Sequence, residues 1–189
     1  MKHETHEKIL TTALQLFAQK GYYGVTTREI AKEVGINELT LFRHFGSKLN
    51  LFEELMDFFA TDAKSDDLLT GIEALPFEQS MPIIIQRICQ LFEKNLTLYK
   101  IQMKLTDAAD VIKLKLSREL IKLLEAYFLD LTILKQVEGD AHLMAVTLIN
   151  SLLGMYTVDI LSKSTVSQAS IEMLIQEHTK QFITTYQIK

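Results

Sequence analysis

Cysteine is all but absent from this sequence. Cys89 stands alone among 189 residues, which excludes an internal disulfide framework and any cysteine-rich zinc site. There is no Trp, and Pro and Gly number only 2 and 7; no glycine-rich phosphate loop is present. His3, His6, His142 and His178 lack the spacing of metal ligands. The motifs G-x-S-x-G and H-E-x-x-H are missing. No Glu is followed three residues later by His, as a carboxylate-bridged metal site in a helical bundle requires. The expectation is therefore no enzyme, no metal site and no cofactor. No apolar run approaches the roughly 18 residues of a membrane span, and the charged, amphipathic first twenty residues do not read as a secretory signal. A cytoplasmic protein without a membrane partner is expected.

What is present is apolar and helical. Hydrophobic residues make up 48% of the chain, enough for a sizeable core. The net charge of −4 is unevenly spread: residues 1–50 hold seven Lys/Arg against five Asp/Glu, and the rest is acidic. A mildly basic head would suit DNA, although scattered surface charge accounts for so small a difference equally well.

Glycine supplies the punctuation. Gly21, Gly24, Gly35 and Gly46 crowd the first third, which reads as short elements with tight corners, whereas the rest reads as a few long ones. Pro76 and Pro82 sit beside a polar stretch, 62–71, that reads as a loop region. Ile9, Leu10, Ala13, Leu14 and Phe17 form one helical stripe. Thr26 stands three residues before Glu29, a capping-box spacing. The helix it opens carries Ile30, Ala31 and Val34; Asn37 caps a second helix with Leu41, Phe42 and Phe45; Ser47 caps a third running to Ala60. Further helices follow around Ile84–Phe92, Ile112–Leu131, Ala141–Leu161 and Val166–Tyr186. No β alternation intervenes. The expected fold is all-α.

The stretch Thr26–Lys48 concentrates the information. Two short helices meet at Val34-Gly35-Ile36, where Gly35 permits a positive φ and small Ala31 lets the helices cross closely. This is helix-turn-helix spacing, whose second helix enters the major groove. The run Gly21–Lys48, with Thr40-Leu41-Phe42-Arg43-His44-Phe45 followed by Ser47-Lys48, resembles the DNA-binding region of the TetR family of bacterial transcriptional regulators over roughly residues 6–59. The resemblance implies a helix-turn-helix head, residues 1–46, and a larger helical ligand-binding and dimerisation domain, residues 47–189. The implied function is ligand-responsive transcriptional regulation, most often repression, by a homodimer on a palindromic double-stranded DNA operator.

Candidate DNA-binding residues follow. Thr27 and Arg28, at a helix start, could hold phosphate. Asn37, Glu38, Leu39, Thr40 and Arg43 form the outer side of the second helix. Arg43 could pair with guanine or phosphate, Thr40 could touch a thymine methyl, and Glu38 could accept from cytosine N4 or simply complement the helix dipole. Phe42 stands where the family often has Tyr, and Leu39 where Gly is frequent. The resemblance implies phosphate contacts for His44 and Lys48. Lys48 sits in a first helical turn, where a cation is locally unfavourable unless a phosphate lies opposite.

The remainder is coarser. The resemblance implies a small-molecule cavity, for which Phe58, Phe59, Phe92, Tyr99, Met103, Phe128, Met144, Met155 and Tyr156 are candidates; the same pattern fits ordinary core. Few charges interrupt it, which favours an apolar effector. One head buries too little surface to select a single genomic site, so a dimer is expected. Ala145, Leu148, Leu152, Ile160, Ile171, Leu174, His178 and Phe182 are its candidate interface, unless their stripes face their own subunit's core. A helical adaptor using the same head for protein contacts is the alternative.

Overall fold

The computed structural model describes residues 2–60, 67–103, 115–162 and 169–188. Among these the chain forms nine helices: α1 (Lys2–Lys20), α2 (Thr27–Val34), α3 (Glu38–Phe45), α4 (Lys48–Ala60), α5 (Phe77–Lys94), α6 (Leu96–Met103), α7 (Lys115–Ile133), α8 (Ala141–Ser162) and α9 (Ile171–Tyr186). The only pairing of β type among the described residues is an isolated bridge, Val137 to Gln187. The chain is all-α. Ile112 and residues 166–168, expected at the starts of the helices here named α7 and α9, lie outside the described residues.

Packing divides the chain into two compact units, residues 1–63 with 92–114, and residues 64–91 with 115–189. The first is built on α1, whose Ile9, Leu10, Ala13 and Phe17 are all fully buried. Their spacing puts them on one stripe, against which α2, α4 and α6 pack. A boundary after residue 46, expected from the sequence, does not match this unit. Leu51, Phe52, Leu55 and Met56 of α4 belong to the same core as α1 to α3, as do Leu98 and Ile101 of α6. Phe52 explains it: edge-on contacts to Phe17 and Tyr22, at 5.6 and 5.1 Å between centroids, anchor α4 in the head. Among its described side chains α6 carries two buried hydrophobic positions, Leu98 and Ile101, too few for its periodicity to show.

The second unit centres on a helical hairpin of α7 and α8, with α9 packed on α8. Its corner is closed by Lys135, at φ +56, and by Gln136 N–H donating to Leu131 C=O at 2.9 Å. Gln136 Oε1 also accepts from Phe77 N–H at 3.1 Å, supplying a cap for α5 from the corner. Phe182 of α9 packs between Phe77 and Phe128. Pro82, expected beside a loop, lies inside α5 instead, past the first turn, where it has no N–H to donate to Glu78 C=O.

Residues Ala141–Ile160 of α8 have a mean hydropathy of 1.5 and are long and apolar enough to cross a membrane by length and composition. The expectation that no run comes near that limit is therefore corrected. In the fold, Met144, Ala145, Leu148, Ile149 and Leu152 of this helix are all 0% exposed, and the helix serves as the core element of the hairpin.

Candidate nucleic-acid interface

The two helices after α1 are fixed by their ends. The Thr26 hydroxyl accepts from Glu29 N–H at 3.1 Å and starts α2. At its other end Ile36 N–H donates to Ala31 C=O and Gly35 N–H to Lys32 C=O, a Schellman-type stop with Gly35 at φ +82. Lys8 reaches across from α1 and donates to Val34 C=O at 3.0 Å, placing a cation on the C-terminal end of α2. Asn37 Oδ1 then accepts from Leu39 N–H at 2.9 Å and starts α3. Upstream, a Cβ on Gly24 would overlap the Lys20 backbone carbonyl oxygen, so a side chain there forces the α1–α2 corner to shift.

Only one face of α3 is used for packing. Leu41 and Phe45, one turn apart, are buried, while Leu39 is 60% and Phe42 41% exposed and Arg43 is exposed beside them. The opposite side of the helix is thus free along its length, with Thr40 half-buried at the margin. Asn37 is exposed but committed by its side-chain oxygen to the cap. Thr27 Oγ1 donates to Glu38 Oε1 at 2.7 Å, tying the first turn of α2 to that of α3. Arg28 is exposed in the same first turn of α2.

Lys48 opens α4, with Ser47 Oγ accepting from Asn50 N–H at 3.0 Å. Its ammonium lies over the Tyr22 ring, 4.2 Å from the centroid. The negative face of the ring offsets the local cost of a cation at a helix N-terminus, so the position has an intramolecular explanation as well as the expected phosphate. Partial burial lowers the Lys48 pKa, and burial, with Tyr23 and Glu53 adding, raises that of the Tyr22 phenol. His44 is half-buried, its ring 5.8 Å from that of His6. His6 in turn stacks on Phe45 at 4.7 Å and pairs with Glu54 at 2.6 Å. In the sequence His6 stood out only as a metal candidate, Tyr22 only as part of the family-like turn after Gly21, and Lys8 not at all; the aromatic–cation pairing spans 26 residues and has no local signature.

The other candidates are dispersed. Of those proposed for a cavity, Phe58, Phe59, Phe92 and Tyr99 belong to the first unit, and Phe128, Met144, Met155 and Tyr156 to the second. The Met103 side chain lies outside the described residues. Phe59 packs against the head's core, while Phe58 is 42% exposed. Phe128 and Met144 are fully buried in the hairpin, and the Tyr156 hydroxyl donates to Cys89 C=O at 3.5 Å. Of the interface candidates, Ala145, Leu148, Leu152 and Phe182 are buried within their own unit. They are core residues, because the α7–α8 packing and the aromatic cluster around Phe182 already enclose them. Ile160, Ile171 and His178 are half-buried and Leu174 is exposed. The exposed apolar residues Leu143, Val158 and Met173 of α8 and α9 did not stand out in the sequence. His178 Nε2 is buried and has no hydrogen-bond partner among the described residues. No group of three or more His, Cys, Asp or Glu suited to a metal occurs among the described residues.

Residues 9–55 match the family profile "Bacterial regulatory proteins, tetR family". The chain is similar to the HTH-type transcriptional regulator YvkB of Bacillus subtilis, with 44% identity over 52 residues, 28% of each protein. It is also similar to IcaR of Staphylococcus aureus, a negative transcriptional regulator of a biofilm operon, with 44% identity over 48 residues, 25% of this chain and 26% of IcaR. These matches span little more than a quarter of the relatives' length. Over 99% of its length the chain is similar in fold to NalD, the secondary repressor of a multidrug efflux pump in Pseudomonas aeruginosa, covering 98% of that chain with a TM-score of 0.75 and 17% identity.

Proposed function

We propose that the chain, whose helix-turn-helix head matches the TetR family of bacterial regulatory proteins over residues 9–55, is a ligand-responsive repressor of that family acting as a homodimer on a palindromic operator. The observation that carries the proposal is α3: an eight-residue helix anchored by Leu41 and Phe45, with Leu39, Phe42 and Arg43 turned outward. A short helix held by one face behind a left-handed turn fits the major groove, which admits one α-helix. Around it, the free N–H groups of Thr27 and Arg28, the Arg28 side chain, His44 and Lys48 are the phosphate-facing set.

The dimer reading draws support from α8 and α9. Leu143, Val158, Met173 and Leu174 remain exposed on helices whose other faces are already packed. A helix apolar around most of its circumference needs a second surface to cover it. Two-fold pairing there sets two α3 helices about 34–36 Å apart, or a multiple of that, on one side of the duplex. An apolar effector bound among the C-terminal helices acts by favouring a dimer geometry with a different head spacing. DNA and effector then lower each other's affinity by an equal factor, about 5–150-fold in the usual range. The protein works in the cytoplasm, where its operator is.

Purified full-length protein tests this by gel shift on the DNA upstream of its own gene. A shift abolished by excess unlabelled fragment but not by unrelated DNA is expected; equal competition by both refutes operator recognition.

A further inference from the structure

The reading surface of α3 has an unusual chemistry. Its most exposed side chains include two large apolar groups, Leu39 and Phe42, three residues apart and so on the same side of the helix. Beside them, in the first turn, stands the carboxylate of Glu38, which Thr27 Oγ1 holds by a 2.7 Å hydrogen bond. An ionised carboxylate only accepts. Phosphate oxygens, guanine N7 and O6, and thymine O4 are acceptors as well and would be repelled. The major-groove groups that suit this surface are the thymine methyl, for the apolar pair, and the cytosine amino group, for the carboxylate, because the adenine amino group lies between two acceptors, N7 and thymine O4.

Resting on the function proposed above, we infer that each operator half-site presents thymine methyls to Leu39 and Phe42 and a cytosine N4 amino group to Glu38. Thr27 is the positioning residue for that carboxylate. With its hydroxyl proton committed to Glu38, Thr27 meets phosphate through its backbone N–H alone. The bond spans the turn and fixes the carboxylate before DNA arrives, so the ordering cost of a long acidic side chain is met within the head.

The experiment starts with selection of bound duplexes from a random pool by the full-length protein, which defines the half-site. Deoxyuridine is then substituted for thymidine, one position at a time, removing only the methyl. At the positions facing Leu39 and Phe42 each substitution weakens binding about four-fold, the effect of one buried methyl. Leu39→Ala and Phe42→Ala each erase the thymine–uracil difference at their own position. Glu38→Gln lowers discrimination for cytosine at its position by about five-fold or more. Thr27→Val does the same in part, and Thr27→Ser, which keeps the hydroxyl, restores it; a purely structural Thr27 would leave cytosine preference untouched. A selected half-site that binds equally well with uracil at every thymine position overturns this inference while leaving operator binding standing. Selection of no sequence at all overturns the repressor reading itself.

Discussion

Lys48 and Tyr22 illustrate how one contact can serve both fold and function. With the ammonium 4.2 Å from the ring centroid, the ring presets the cation at the start of α4 beside the α3 helix. Lys48→Ala is expected to weaken binding to all duplexes alike, because phosphate contacts carry no sequence information. Tyr22→Leu keeps the apolar volume but removes the negative ring face, and should weaken binding in the same direction by less. Affinity on a selected and an unrelated duplex, measured side by side, checks both; a change in sequence preference in either variant would contradict the assignment. Lys48 and its expected phosphate partner could be named from the motif, but the Tyr22 seat could not, because ring and ammonium come together only when α4 joins the head.

Two histidines of the second unit make opposite pH predictions. Burial holds His178 below its ordinary 6.5. In the window just below pH 6.5 the unfolded chain therefore binds more protons than the folded one, and stability falls as the solution is acidified. His142 is raised by its hydrogen bond to Glu125. Its contribution is full below 6.5 and is lost as pH rises through the folded value, but the pair is exposed and screened, so it is small. Between pH 7.5 and 5.5, above the carboxylate range, the net expectation is a lower melting temperature at the acid end. His178→Leu should flatten that dependence, and thermal melts at the two pH values read it directly.

At the scale of elements, the helix-turn-helix is a set of end effects. Asn37→Ala removes the α3 cap and is expected to cost about 0.5–2 kcal/mol of stability. Gly35→Ala isolates a different quantity. A Cβ there meets nothing within 4 Å, so its cost is the left-handed backbone alone, about 1–2 kcal/mol. Denaturant unfolding of the two variants checks both values; a neutral Gly35→Ala would mean that the turn relaxes out of the left-handed region. These ends were readable in the sequence because caps and stops act over three or four residues: Thr26, Gly35, Asn37 and Ser47 occupy the roles their chemistry suggests. The fate of α4 was not readable. An amphipathic helix declares that it has a buried face, and only packing decides which neighbours that face meets.

The same limit applies with more force to α8. Its small and apolar residues suggested an interface, but Ala145, Leu148 and Leu152 fill the hairpin core, and the uncovered apolar residues lie elsewhere on its surface. In the dimer proposed for this chain, Leu174→Asp on α9 places a charge on the exposed part of the interface and should give a monomer in sedimentation equilibrium, whereas Leu148→Ala should lower the melting temperature with the dimer retained. A monomeric wild-type chain would refute the interface outright.

For the whole molecule, affinity should depend steeply on salt. With about six phosphates neutralised by a dimer, log affinity against log salt has a slope near −5. Removing Lys48 from both subunits should flatten it by about 2, since each lost contact releases fewer counterions. The basic head on an acidic body makes this the expected behaviour despite a net charge of −4, because Debye screening confines each charge's influence to about 10 Å.

What the amino-acid sequence determined by itself was local: the signals of every described helix but α6, the caps, the left-handed turn at Gly35 and the outward set on α3 all depend on residues within a turn or two of one another. Tertiary structure alone decided which apolar stripes meet. It placed α4 and α6 in the core of the head, seated Lys48 on Tyr22, joined Thr27 to Glu38, and consigned Ala145, Leu148, Leu152 and Phe182 to the interior. Periodicity fixes that a face will be buried, whereas the identity of its partner depends on shape and distance between segments far apart in the chain, and no local pattern encodes those.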